Sequence, residues 1–196
     1  MIKKWYEKLL SKAFWRRNWK VTIGTAAGII IVILIMTLLI GGQQDTGAKE
    51  AGIQLEQLAQ NIRNHYKTRP DFWGLSTNEV IAKKLYPLSM TAEDGQLKGY
   101  FGNPVEIGSD AQGTPVMPTV RRFTIAYNHL SKNQCAGLAA NKFDQTFWLG
   151  VSGMAIDNGS KEQTFDWSSK DFRLPADKEI VKSLCNNVNN VVFYFE

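Results

Sequence analysis

The sequence predicts an α+β fold in which a long N-terminal helix, its first half suited to lipid and its second to a protein core, packs against an antiparallel sheet. Three observations carry this. Val21 to Ile40 contains no charged residue. Ala51, Leu55, Leu58 and Ile62 then recur at spacings of four and three, which places them on one helix face. Further on, Phe123, Ile125 and Tyr127, and again Val191, Phe193 and Phe195, occupy alternate positions, the pattern of strands with one buried face.

The uncharged run, VTIGTAAGIIIVILIMTLLI, has twenty residues. At about 1.5 Å per residue a helix of that length reaches about 30 Å, the thickness of a bilayer's hydrocarbon core. Buried helices of soluble proteins seldom run so far without a polar face. A membrane-spanning helix is therefore expected over 21–40. Before it stand Lys3, Lys4, Lys8, Lys12, Arg16, Arg17 and Lys20 against Glu7, seven positive charges minus one negative, or +6. The whole chain is +5, so the remainder carries −1 and the basic character belongs to the first twenty residues. Positive flanks stay inside, which orients the span with its N-terminus in the cytoplasm and everything after Ile40 outside.

Within 1–20, Ile2, Trp5, Tyr6, Leu9, Leu10, Ala13 and Phe14 recur at helical spacing, with Trp15 and Trp19 nearer the span. That is an amphipathic segment suited to the cytoplasmic membrane surface. Its expected partner is the anionic inner leaflet. Nucleic acid is not, because no basic patch interleaved with aromatics recurs in the larger domain. A short apolar core with a small-x-small cleavage site, the mark of a secretory signal, is missing, so the anchor is expected to persist. The chain thus divides into 1–20, 21–40 and one exported domain, 41–196.

Gly41-Gly42 marks either a hinge or the membrane exit. The amphipathic helix then runs through His65 or Tyr66 and ends at Arg69-Pro70, since a residue before proline is driven out of helical geometry. Ser76 and Glu79 form a capping-box pair opening a second helix with Val80, Ile81 and Leu85 apolar, Lys83 and Lys84 outward and Pro87 as its stop. Gly95 to Pro118 is dense in Gly and Pro, and reads as a long structured loop with a brief strand at Val105 and Ile107. A strand follows over VRRFTIAY. Next come a helix opened by Ser131 and Gln134, a strand near Trp148 to Ser152, a helical turn from Asp177 to Leu184 and the closing strand.

The chain has two cysteines, Cys135 and Cys185. In an oxidising compartment such a pair usually forms a disulfide; two buried free thiols are the alternative. A bridge would tie the inner helix to the base of the last strand. It would close a loop of about 50 residues, worth about 4 kcal/mol in the chain-entropy model.

Signs of catalysis are weak. His65 and His129 are too few and too far apart for a metal site legible in sequence, and read as core-edge or surface residues. No P-loop, GxSxG elbow or dinucleotide fingerprint occurs. Glu93-Asp94 and Asp157-Asn158-Gly159 read as solvated turns, since a calcium loop needs more spaced oxygens. Phe72, Trp73, Phe147, Trp148, Phe165 and Trp167 read as core aromatics in preference to a binding platform. Neither an enzyme nor a cofactor is expected.

The order of parts, NEVIAKKLYPLSM, GYFGNPVEI, FTIAYNHLSKNQCAGLA and LCNNVNNVVFYFE behind a hydrophobic helix, resembles the PilS-type type IVb pilins, from about Leu55 to Glu196. The resemblance implies a type IV pilus subunit whose N-terminal helices bundle in the filament core with the heads outside, and whose disulfide maps onto Cys135 and Cys185. Pilins of this family carry a leader cut after a glycine and a glutamate five residues on. Gly24-Thr25 offers a leader of plausible length, but the fifth residue after Gly24 is Ile29. Two readings therefore stand. One is a filament subunit partnered by other copies and used in adhesion, aggregation or mating-pair contact. The other is an uncleaved, anchored pilin-like module of a pilus or secretion machine.

Overall fold

The computed structural model describes residues 47–114, 117–143, 147–148 and 150–196, with the backbone alone over 110–114 and 117–121. Gly24, Thr25, Gly41, Gly42 and the expected span 21–40 lie outside these residues. The described residues all belong to one compact unit, Gln44–Glu196. Among the described residues, no helix is long and apolar enough to cross a membrane.

Helix α1 covers residues 47–66. Its apolar stripe, Ala51, Leu55, Leu58, Ala59, Ile62 and Tyr66, is buried in the core. Each fully buried Leu or Ile contributes about 1.5–3 kcal/mol of hydrophobic stabilisation, so this stripe fixes which way the helix faces. The helix stops at Tyr66, ahead of Pro70, and the Arg69 N–H closes a turn onto the Tyr66 carbonyl at 2.8 Å.

Helix α2, Thr77–Ala82, starts where expected: the Ser76 hydroxyl accepts from the Glu79 N–H at 3.3 Å. It ends earlier than Pro87 requires. Lys84 takes φ 53°, a left-handed conformation that halts the helix and redirects the chain, and Leu85 follows outside it.

The sheet has seven strands: β1 Thr91–Glu93, β2 Gln96–Lys98, β3 Pro104–Thr114, β4 Met117–Leu130, β5 Val151–Asp157, β6 Glu162–Asp166 and β7 Asn189–Phe195. Their spatial order is β1-β2-β3-β4-β7-β5-β6, and every pairing is antiparallel. Helix α3, Lys132–Ala139, follows β4, and helix α4, Lys178–Leu184, precedes β7. The last strand is thus central, joining β1–β4 on one side to β5–β6 on the other.

Register gathers the large side chains on the face that α1 covers. Phe123 pairs with Phe195, Ile125 with Phe193, and Tyr127 with Val191; Met154 pairs with Phe193 and Ile156 with Val191. All of these are buried. The rings of Phe123 and Phe195 stack with centroids 4.9 Å apart.

Two expectations are corrected. The stretch from Gly95 to Pro118 is largely sheet. Asp94 and Gly95, at φ 51° and 75°, make the two-residue turn of a β1–β2 hairpin, and β3 runs for eleven residues. The strand expected near Trp148 to Ser152 begins only at Val151 and continues to Asp157. Phe147 and Trp148 are held instead in an aromatic cluster, where Phe143 lies 4.0 Å from the Phe147 ring and 5.4 Å from that of Trp148, centroid to centroid.

Replacing Leu58 by Ala should lower unfolding free energy by about 2–5 kcal/mol, measured by denaturant titration, because Leu58 is fully buried on the core face of α1. Wild-type stability in that variant would mean that this helix face is not packed as described.

Candidate functional site

The head offers a scaffold with two differently built flanks along α1. Among the described residues, no group of three or more His, Cys, Asp or Glu could hold a metal ion. His65 lies at the edge of the core, and its ring meets that of Tyr66 edge to face at 5.2 Å. His129 is exposed, with φ 56°.

On one flank, Gln54 and Asn61 hold the connection that carries α2 and the β1–β2 hairpin. Gln54 is 2% exposed. Its amide nitrogen donates to the Ser89 carbonyl at 2.8 Å, and its amide oxygen accepts from the Tyr100 N–H at 2.7 Å. Two turns along the helix, Asn61 donates to the Leu85 carbonyl at 2.8 Å. A buried amide satisfied in this way fixes both segments against the helix, and an apolar replacement would strand their backbone groups.

On the other flank, Gly52 and Gly150 make room for longer groups. A Cβ at Gly52 would overlap the Asn141 amide, which donates to the Ala48 carbonyl at 2.9 Å. One at Gly150 would overlap the guanidinium of Arg63. Close by, a Cβ at Gly137 would come within 2.7 Å of that of Ala48, so α3 approaches the start of α1 closely. Burial lowers the Arg63 pKa. Neither Gln54 nor Arg63 was singled out by the sequence reading. The available signal was position: each is next in sequence to a stripe residue, Leu55 and Ile62, where a polar side chain must find a partner or an outlet.

Cys135, in α3, and Cys185, the residue capping α4, are joined by a disulfide with their Cα atoms 6.0 Å apart. Both are buried. Asn189 lies beyond the bridge, 1% exposed. It donates to the Leu130 and Asn186 carbonyls at 3.0 and 2.7 Å and accepts from the Asn186 N–H at 2.7 Å, fixing the entry to β7.

The acidic pairs are turns. Glu93 binds Lys98 across the hairpin at 2.9 Å, and this hydrogen bond raises the Lys98 pKa. Asp157 accepts from the Gly159 N–H at 2.9 Å. Of the six aromatics expected in the core, Phe147, Trp148 and Phe165 are buried and Phe72 packs against the core in part. Trp73 and Trp167 correct that expectation at 64% and 40% exposure. Trp167 is anchored through its indole N–H to the Val151 carbonyl at 2.7 Å, whereas Trp73 projects from the turn after α1, ahead of Gly74 at φ 80°.

A long helix on an antiparallel sheet, with a disulfide tying the helices beside its final strand, defines a structural head of the type IV pilin class. Residues 45–195 match the family described as PilS N terminal, and the chain belongs to that family. No curated protein sequence matches it. Among solved structures, TcpA, a type IV pilin from Vibrio cholerae El Tor biotype, is similar with a TM-score of 0.51 at 12% identity, over 79% of this chain and 99% of that one. The type IV b pilin from Salmonella typhi aligns over 78% of this chain and 97% of its own at 18% identity and a TM-score of 0.49.

The Cys135→Ser, Cys185→Ser double variant should lose about 4 kcal/mol of stability, read from denaturant midpoints. An unchanged midpoint would show that helix packing alone holds this region. A second expectation concerns pH. Hydrogen bonds from the Ser168 hydroxyl and the Ser168 and Ser169 N–H groups hold the Asp166 carboxyl below its ordinary value. Its folded pKa is depressed, so its contribution is present above the unfolded pKa, about 3.9, and is lost as pH falls through the lower folded value. In an NMR titration Asp166 should therefore protonate below the ordinary aspartate range, and Ser168→Ala should move its midpoint back up.

Proposed function

We propose that this chain is a structural subunit of a bacterial type IVb pilus, assembling through its hydrophobic N-terminal segment with the head outside. The observation that carries this is the family match, which spans nearly the whole head. The fold supports it, because a helix with one apolar face committed to the sheet follows, in sequence, a segment whose composition suits lipid. In this reading residues 1–20 lie in the cytoplasm, 21–40 cross the inner membrane once and 41–196 are exported. The buried disulfide fits an oxidising compartment. The work is mechanical, with no bond made or broken by the head. Its exposed surface serves adhesion, aggregation or mating-pair contact.

A second reading rests on one observation. No acidic residue occurs from Val21 to Ile40, and Ile29 stands where this class places its glutamate. A buried carboxylate that could pair with a neighbour's new amine is therefore missing, and a charge in the membrane is costly enough to need such a role. The chain would then be an uncleaved, anchored pilin-like module of a pilus or secretion machine, with Gly24-Thr25 intact and Gly41-Gly42 as the exit from the membrane.

Sequencing the N-terminus of the protein from its host, in membranes and in sheared surface material, separates the two. A start at Thr25 in the sheared fraction is expected for the filament subunit. Finding only Met1, confined to membranes, would overturn that reading in favour of the anchored module.

A further inference from the structure

The turn between β5 and β6 holds the one Asn-Gly step of the chain, Asn158-Gly159. Such a step is chemically labile. Glycine has no side chain to shield its backbone nitrogen, which can therefore reach the amide carbon of the asparagine before it. The nitrogen loses its proton and bonds to that carbon, and the side-chain nitrogen leaves with the proton as ammonia. A five-membered imide remains. Water then opens it at either carbonyl, giving aspartate or isoaspartate.

The folded turn opposes these steps. The Gly159 N–H donates to Asp157 Oδ1 at 2.9 Å, so the attacking nitrogen is turned toward a carboxylate that holds its proton in place. The Asn158 side chain is fixed at both ends. Its Oδ1 accepts from the Ser160 and Lys161 N–H groups at 3.1 and 2.9 Å, and its Nδ2, the group that would leave, donates to the Leu184 carbonyl at 2.9 Å. Asn158 N–H also donates to the Lys161 carbonyl at 3.2 Å, closing the turn. Gly159 is exposed and Asn158 half-buried, so water reaches this place and it is the hydrogen bonds that restrain the reaction.

We infer that Asn158 is a latent modification site, kept intact by the folded β5–β6 turn and released to deamidate when that turn opens. The product cannot restore what it replaces. An aspartate at 158 has no N–H for the Leu184 carbonyl and sets a charged oxygen against it. Leu184 ends α4 directly before Cys185, so the modified turn loses its tie to the bridged segment that leads into β7. A chain that has once been open carries a permanent added negative charge. This holds whether or not the chain forms filaments.

The test uses the purified full-length chain in detergent, its disulfide intact, held at one mildly alkaline pH with and without denaturing urea. Conversion of Asn158 is followed by peptide mass spectrometry. A turn held by several bonds is open only a small fraction of the time, so the folded chain is expected to convert at least about ten-fold more slowly than the unfolded one. Equal rates would overturn the inference. In urea, Gly159→Ala should slow conversion, and the wild-type rate there would exclude attack by this backbone nitrogen and sink the proposal. The consequence is read in Asn158→Asp, whose melting temperature should fall by about 2–4 °C or more. An unchanged melting temperature would overturn the part given to the Leu184 bond. If Asn158→Asp yields no folded chain to melt, the folded and unfolded wild-type rates decide alone.

Discussion

The pairing of β7 between β4 and β5 is the constraint on which the rest of the head depends. Neither half of the sheet is closed without it: β1–β4 would end on an open edge at β4, and β5–β6 would be an isolated hairpin of a kind that is marginal in water. The strand also supplies Val191, Phe193 and Phe195, the middle row of the face that α1 covers. Helix and sheet therefore share one core, and β7 is where they meet.

The disulfide and the asparagines around it serve that strand. Cys185 anchors the chain to α3 four residues before Asn189, and Asn189 ties the first residue of β7 to the end of β4. Register is fixed at the strand's entry, and a slip of one residue would turn Phe193 and Phe195 to the opposite face. Helix α1 is held by different means on its two sides. Gln54 and Asn61 grip backbone carbonyls and an N–H on one flank, while the glycines of the other admit Asn141 and the Arg63 guanidinium.

Where the sequence was legible, a periodic pattern met a single buried face. The stripe of α1, the alternation in β4 and β7, and Ser76 at the start of α2 each declare themselves locally and are found in the structure. The misses have physical causes. In β5, Met154, Ala155 and Ile156 are buried in succession, so no alternation marks the strand. Composition obscured β3, where Gly108 and Gly113 lie within an eleven-residue strand, and the Asp94-Gly95 turn was submerged in a run read as loop. Gln54 and Arg63 meet partners distant in sequence, which periodicity does not report. Pairing of the two cysteines, by contrast, could be anticipated from their number and expected compartment.

The central place of β7 also sets the order in which the head can come together. Phe123 and its partner Phe195 are 72 residues apart in the chain, and β5 and β6 are both made before the strand that joins them to β4. Contacts of such separation form late and slowly. Until β7 pairs, α1 has only part of its sheet to lie on, and two open strand edges wait for the same missing segment. A head wired this way stays open until that one strand is seated, then locks as a whole.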